Sequence, residues 1–131
     1  MAQQPYPEPL VPIIIAQNYP ILRRNESAYF FQLEKAVVRH DPVSVNHRVA
    51  AFLASYFDIL FAVNRLPHPG EKRLIEWAEK HCTLLPDDMS HQVNTLIRAV
   101  SQTDQSVLSV VNALVDNLDE LLKAEGLYLP G

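Results

Sequence analysis

Residues 42–65, PVSVNHRVAAFLASYFDILFAVNR, constrain the fold more than any other stretch of this chain. Val45, Val49, Phe52, Leu53, Tyr56, Ile59, Leu60 and Val63 recur at intervals of three and four, the spacing of one helical face. They cover a wide apolar arc, which makes this the most hydrophobic helix the chain encodes. Asp41 stands where an N-cap is needed, and Pro42 suits the first helical position because no N–H is required there. The string LPHPG ends the helix.

The flanking segments repeat this helical grammar. Leu22, Tyr29, Phe30, Leu33, Ala36 and Val37 predict a first long helix over 21–39, broken by His-Asp-Pro. Glu71 to His81 read as a short third helix with Leu74, Ile75 and Ala78 inward. LLPDD opens a fourth, built on Met89, Val93, Leu96, Ile97 and Val100. Thr103 or Asp104 caps a fifth, whose stripe of Val107, Val110, Val111, Leu114, Leu118, Leu121 and Leu122 fits bundle packing, with Gly126 as its stop. No alternating strand pattern and no repeat occurs. The expectation is an all-α, antiparallel up-and-down bundle of about five helices. Residues 1–19 read as a proline-rich arm or linker, with IIIAQ making at most one helical turn. Residues 20–126 read as the bundle, and 127–131 as a tail.

Bulk properties narrow the function. The chain has 131 residues, a formal net charge of −4 and a pI near 5.7, which disfavours generic nucleic-acid binding through a basic surface. A single cysteine, Cys82, excludes an internal disulfide and a cysteine-rich zinc site, and fits a reducing compartment. Pro5, Pro7 and Pro9 interrupt the start before any apolar run, so no signal peptide is read. The longest apolar candidate, 49–63, carries Asp58 and is too short to span a membrane. A cytoplasmic protein without membrane partners is expected. With three glycines in all, neither a phosphate loop nor a dinucleotide fingerprint is present.

Two features could carry a site. At about 100° per residue, His47, Ala51, Ser55, Asp58, Ala62 and Arg65 share one sector of the second helix, opposite the arc centred on Tyr56. The interleaved small residues would let another molecule approach the backbone. The stripe is either a solvent face or the floor of a ligand or domain-docking groove. The following loop adds Asn64, His68, Lys72 and Arg73, with Gly70 and Glu71 opening the third helix and Lys72 and Arg73 at its start, where free N–H groups favour an anion. Solvated charges around a turn are the alternative reading. The histidines show no HxxxH or HxxH pair, so no metal site is expected. His47, Ser55 and Asp58 are triad residue types, but on one helix they cannot touch in series.

SAYFFQLEKAVVRHD, and then VNHRVAAFLASYFDILFAVNRLPHPGEKRL, resemble the helical C-terminal part of an uncharacterised bacterial nucleotidyltransferase-like family, a domain of unknown function. The resemblance covers about residues 17–125, and SYFDILFAVNRLPHPGEKR is its specific part. It implies a bundle like the substrate-binding domains of kanamycin nucleotidyltransferase and relatives, and more loosely like HEPN domains. In that family a catalytic domain comes first. It carries a Gly-Ser motif and paired acids that hold magnesium for nucleotidyl transfer. This chain has neither, so by itself it is read as a non-enzyme and as one wall of a cleft, its proline-rich start being the former interdomain linker. Magnesium and nucleotide are then expected only with a partner catalytic domain, in cis or in trans. In that reading Arg65, Lys72 and Arg73 contact phosphate or an acidic partner and His68 donates a hydrogen bond. Asp58 orients Arg65 or accepts from substrate, with Asn64, Tyr56, His47 and Ser55 in support. HEPN ribonucleases use Arg-x4-6-His. The intervals Arg39–His47, Arg65–His68 and Arg73–His81 hold seven, two and seven residues, so none fits. The alternatives are a small homodimer that self-associates through the fifth helix and binds no ligand, or a HEPN-type nucleotide- or RNA-binding module.

Overall fold

The computed structural model describes residues 6–25 and 28–128. Seven helical segments occur among them: α1 (Leu10–Asn18), α2 (Pro20–Arg23), α3 (Tyr29–Val38), α4 (Pro42–Val63), α5 (Leu74–His81), α6 (Met89–Val100) and α7 (Gln105–Ala124). The described residues contain no strand, and the fold is an all-helical bundle. None of these helices is long and apolar enough to cross a membrane.

The hub is α4. Helices α1, α2, α3 and α6 all pack against it, and α7 closes the bundle against α3 and α6. Its Phe52, Tyr56, Ile59, Leu60, Phe61 and Val63 are all but fully buried. Burying an aliphatic or aromatic side chain of this kind stabilises the fold by about 1.5–3 kcal/mol. The stripe on α7 is spent in the same core: Val107, Val111, Leu114, Leu118 and Leu122 are fully buried. The face expected to carry self-association is therefore an interior face of the monomer.

Local chemistry sets the helix ends. The Asp41 carboxylate accepts the Ser44 N–H at 3.2 Å and Pro42 follows it, as its sequence suggests. Of the two cap candidates for α7, Asp104 does the work, accepting the Ser106 N–H at 2.9 Å. Helices α3, α4 and α7 end in the same reversal. In α4, Leu66 N–H reaches Phe61 O at 2.9 Å while Arg65 N–H reaches Ala62 O at 3.0 Å. The residue that turns left-handed is Gly126 after α7, but His40 (φ 54°) after α3 and Arg65 (φ 54°) after α4.

The N-terminal segment corrects the sequence reading. Residues 10–18 form two and a half turns of helix rather than an extended arm. Pro9 sits at the N-cap and Pro12 at the third helical position, where the backbone has no intrahelical N–H bond to lose. Val11, Ile15 and Tyr19 enter the core. Pro20 then starts the single turn α2. The expected helix over 21–39 is thus divided into α2 and α3. Residues 1–5 of the expected arm, 26–27 of that helix and 129–131 of the expected tail lie outside the described residues. The third helix starts at Leu74, three residues later than expected, because Arg73 is left-handed (φ 52°) and cannot lie inside an α-helix.

A polar clamp ties this N-terminal segment to α7. The Tyr19 hydroxyl donates to Asp119 Oδ1, and Arg23 Nη2 lies 3.0 Å from Asp119 Oδ2 and 2.7 Å from Asp116 Oδ1. Asp119 is buried, and burial together with its carboxylate pushes the Tyr19 phenol above its ordinary range. The Arg24 guanidinium covers the Tyr19 ring at 4.5 Å.

Removing the shared carboxylate strands the buried Tyr19 hydroxyl and leaves Arg23 held by Asp116 and Asn112 alone. Asp119→Ala is expected to lower unfolding free energy by about 2 kcal/mol and Tyr19→Phe by about 1 kcal/mol, non-additively, as urea denaturation will measure. Acid has a related effect. Hydrogen bonds from Ser44 and Ser106 hold the Asp41 and Asp104 carboxyls below their ordinary values. A depressed folded-state value stabilises the protein above the unfolded value and the gain is lost as pH falls through it. The thermal midpoint should therefore fall steeply below about pH 4. Asp104→Asn, which caps without titrating, should flatten part of that slope.

Candidate functional site

A groove of about 720 Å³ lies between α4, the 67–73 loop, α5 and α6. Ala50, Leu53, Ala54 and Phe57 follow one another at helical spacing along α4 and form one wall. Leu74 and Ile75 of α5 and Val93 and Ile97 of α6 complete an apolar lining. Ile97 is 51 % exposed, a large aliphatic side chain left open to solvent. His68, Glu71, Arg73 and Glu76 bring charge and hydrogen-bonding capacity to it. The two alanines on α4 keep the groove open where larger residues would fill it. Such a groove accepts an apolar body and reads its polar end by charge.

His68 is the best-defined polar group there. Its Nδ1 accepts the Gly70 N–H at 3.0 Å, so the neutral ring carries its proton on Nε2. Nε2 lies 3.9 Å from Asp58 Oδ1, and the ring meets Phe61 edge-on with centroids 5.4 Å apart. Sequence reasoning placed Asp58 and His68 in one site, and the fold brings them together. They stand where the groove adjoins a second cavity of about 210 Å³, bounded by Tyr6, Ile14, Gln17, Asn18, Asp58, Phe61, Ala62, Leu66 and His68. Burial, and then the Asp58 charge, push the Tyr6 phenol above its ordinary value.

The remaining candidates separate. Arg65 does not meet Asp58. Its Nε donates to Glu8 Oε1 at 2.9 Å and its Nη1 to the Val63 carbonyl at 2.6 Å, because its left-handed backbone swings the side chain toward the N-terminal segment. That hydrogen bond holds the Glu8 carboxyl below its ordinary value. Asn64 is a strut, not a ligand group. Its Nδ2 donates to Leu60 O and Leu84 O, both at 2.8 Å, and its Oδ1 accepts the Leu84 N–H at 2.8 Å. It thereby pins the end of α4 to the loop between α5 and α6. Arg73 lines the groove, but Lys72 is exposed outside it, and both precede α5 instead of forming its first turn.

The polar stripe of α4 also resolves. Ser55 and Ala62 are buried, and Ala62 and Asp58 face Ile14, Gln17 and Asn18 of α1 across the smaller cavity. The molecule that approaches the small residues is the chain's own first helix. His47 remains exposed at the far end of the stripe. Tyr56 is in the core, stacked on Phe52 with centroids 6.2 Å apart. Its hydroxyl has no hydrogen-bond partner among the described residues, and burial pushes the phenol above its ordinary range. Sequence reasoning missed Leu53, Phe57, Ile75 and Ile97 as groove residues, since helical spacing marks them only as apolar. Among the described residues no three His, Cys, Asp or Glu side chains converge as a metal-ligating group.

Comparison with protein-family models, with curated proteins and with solved structures yields no match.

These placements predict opposite effects for two residues. Asn64→Ala removes three hydrogen bonds and strands the Leu84 backbone, and should cost about 2 kcal/mol. Tyr56→Phe removes a buried hydroxyl that has no partner and should raise stability by about 1 kcal/mol. Equilibrium unfolding in urea measures both, and a Tyr56→Phe variant destabilised by that amount would show that the hydroxyl is satisfied.

Proposed function

We propose that this chain is a non-catalytic, helical substrate-binding and interaction domain, whose α4–α5–α6 groove forms one wall of a cleft completed by a nucleotidyltransferase-type catalytic domain. The observation that supports this reading is the groove itself: an open apolar channel with Arg73 and His68 at its polar edge. A planar apolar group packs against Leu53, Phe57 and Ile97. Arg73 meets negative charge, and the His68 Nε2–H donates a hydrogen bond. The groove supplies orientation and burial, which is what a substrate-binding wall contributes to a reaction carried out elsewhere. The nucleotidyltransferase-like version of the helical bundle belongs to the same proposal and rests on the SYFDILFAVNRLPHPGEKR string.

In this reading magnesium is held by the paired acids of the partner catalytic domain. Of the cations first considered, Arg73 lines the groove, and in this reading it meets the substrate's negative charge. Arg65 secures the N-terminal segment, and Lys72 faces solvent.

The test is calorimetric titration with ATP, on the chain alone and mixed with a catalytic domain carrying the Gly-Ser and paired-acid motif from the same or an adjoining reading frame. The catalytic domain should tighten nucleotide binding. Ile97→Glu and Arg73→Glu, both at exposed positions, should each weaken binding in the mixture by about tenfold or more. Affinities that both variants leave unchanged would sink the groove's role.

A further inference from the structure

The chain is acidic overall, with a net charge of −4, yet three of its cations gather in one concavity between α3 and α4. This cavity, of about 210 Å³, is lined by Gln32, Lys35, Arg39, Ser44 and Arg48. Lys35 and Arg39 are one turn apart at the end of α3, and Ser44 and Arg48 are one turn apart at the start of α4. The left-handed turn at His40 folds the two pairs toward each other. At about 100° per residue, Ser44 and Arg48 lie on the opposite side of α4 from Ala50, Leu53, Ala54 and Phe57. The concavity is thus separate from the groove described above.

Its charge is poorly compensated. One carboxylate approaches, with Asp41 Oδ2 3.4 Å from Arg39 Nη2. That carboxylate is already engaged, accepting the Ser44 N–H at 3.2 Å and the Ser44 hydroxyl at 2.8 Å. Lys35 and Arg48 have no ion-pair partner among the described residues. Three cationic heads brought in from two helices suit a tetrahedral, doubly charged group better than a planar carboxylate. A neighbouring depression of about 540 Å³ shares Lys35 and Arg39 and is completed by Glu34, Gln105 and Val38, which is 69 % exposed. It gives an organic body a place to lie beside the charge.

We propose that this concavity is a binding site for the phosphate group of a small phosphorylated organic ligand, held by Lys35, Arg39 and Arg48, with the ligand's organic part resting on Val38. Two features favour a small ligand over a nucleic-acid backbone. The cationic lining is confined to a single turn on each of two helices, and the rest of the chain is acidic, whereas a backbone tracks an extended basic surface. The site is independent of the groove and of its proposed role.

The experiment is an NMR titration of the full chain with inorganic phosphate and with phenyl phosphate. Saturable shifts should cluster at the α3–α4 reversal, and phenyl phosphate should bind more tightly than phosphate. Lys35→Ala and Arg48→Ala should each weaken both by about tenfold. Arg98→Ala on α6 should change neither. Lys35 is exposed, so its variant tests the site without disturbing the core. The proposal is overturned by linear, unsaturated shifts with both probes, or by equal losses from Arg98→Ala. A single-stranded RNA oligonucleotide that binds far more tightly than phenyl phosphate would overturn the small-ligand assignment.

Discussion

A helix that is apolar around most of its circumference has to be enclosed, and the enclosure of α4 organises everything else in this bundle. One side meets α3 and α6, with Phe52, Tyr56 and Leu60 in the shared core. The side with Asp58 and Ala62 is taken by α1. The side with Ala50, Leu53, Ala54 and Phe57 stays partly open, and there the groove forms. The candidate site is the part of the central helix that the chain's own helices leave uncovered. Its apolar character follows from that origin, since those residues belong to the same hydrophobic helix as the core.

How much of this was legible depended on whether the signal was periodic or a matter of tertiary placement. The limits of α4, its Asp41 cap and the stripe of α7 were all readable, because three- and four-residue spacing and capping chemistry are local. The division of the 21–39 helix into α2 and α3 and the late start of α5 were not. Arg73 adopts a left-handed conformation that a sequence marks clearly only when the residue is glycine or asparagine. The N-terminal prolines misled for a related reason. Proline opposes helix in the interior but is harmless in the first turn, and composition does not distinguish the two. For the site, Asp58 was expected to orient Arg65, and the fold sets it beside His68 instead. Arg65 and Asn64 were given ligand roles because nothing local foretells that Glu8 and Leu84 would claim them from 57 and 20 residues away.

The groove and the α3–α4 concavity divide two kinds of recognition between opposite sides of α4. The groove is broad and apolar with a few charges at its edge, which favours shape and burial. The concavity is small and cationic, which favours charge and geometry. A helix held rigid by a packed core is a suitable mount for both, because its side chains keep fixed separations whatever occupies either side.

The clamp of Tyr19 and Arg23 on Asp119 also has a bearing on the order of synthesis. Its partners are separated by 100 and 96 residues, so α1 and α2 leave the ribosome well before the helix that secures them. Until α7 emerges, α1 and α2 can rest on α4 but lack the carboxylate that fixes them, and the exposed Ile13 and Leu10 face outward on a helix not yet locked down. The docking of α1 and α2 therefore waits for α7, and the bundle closes in one late event that joins segments far apart in sequence.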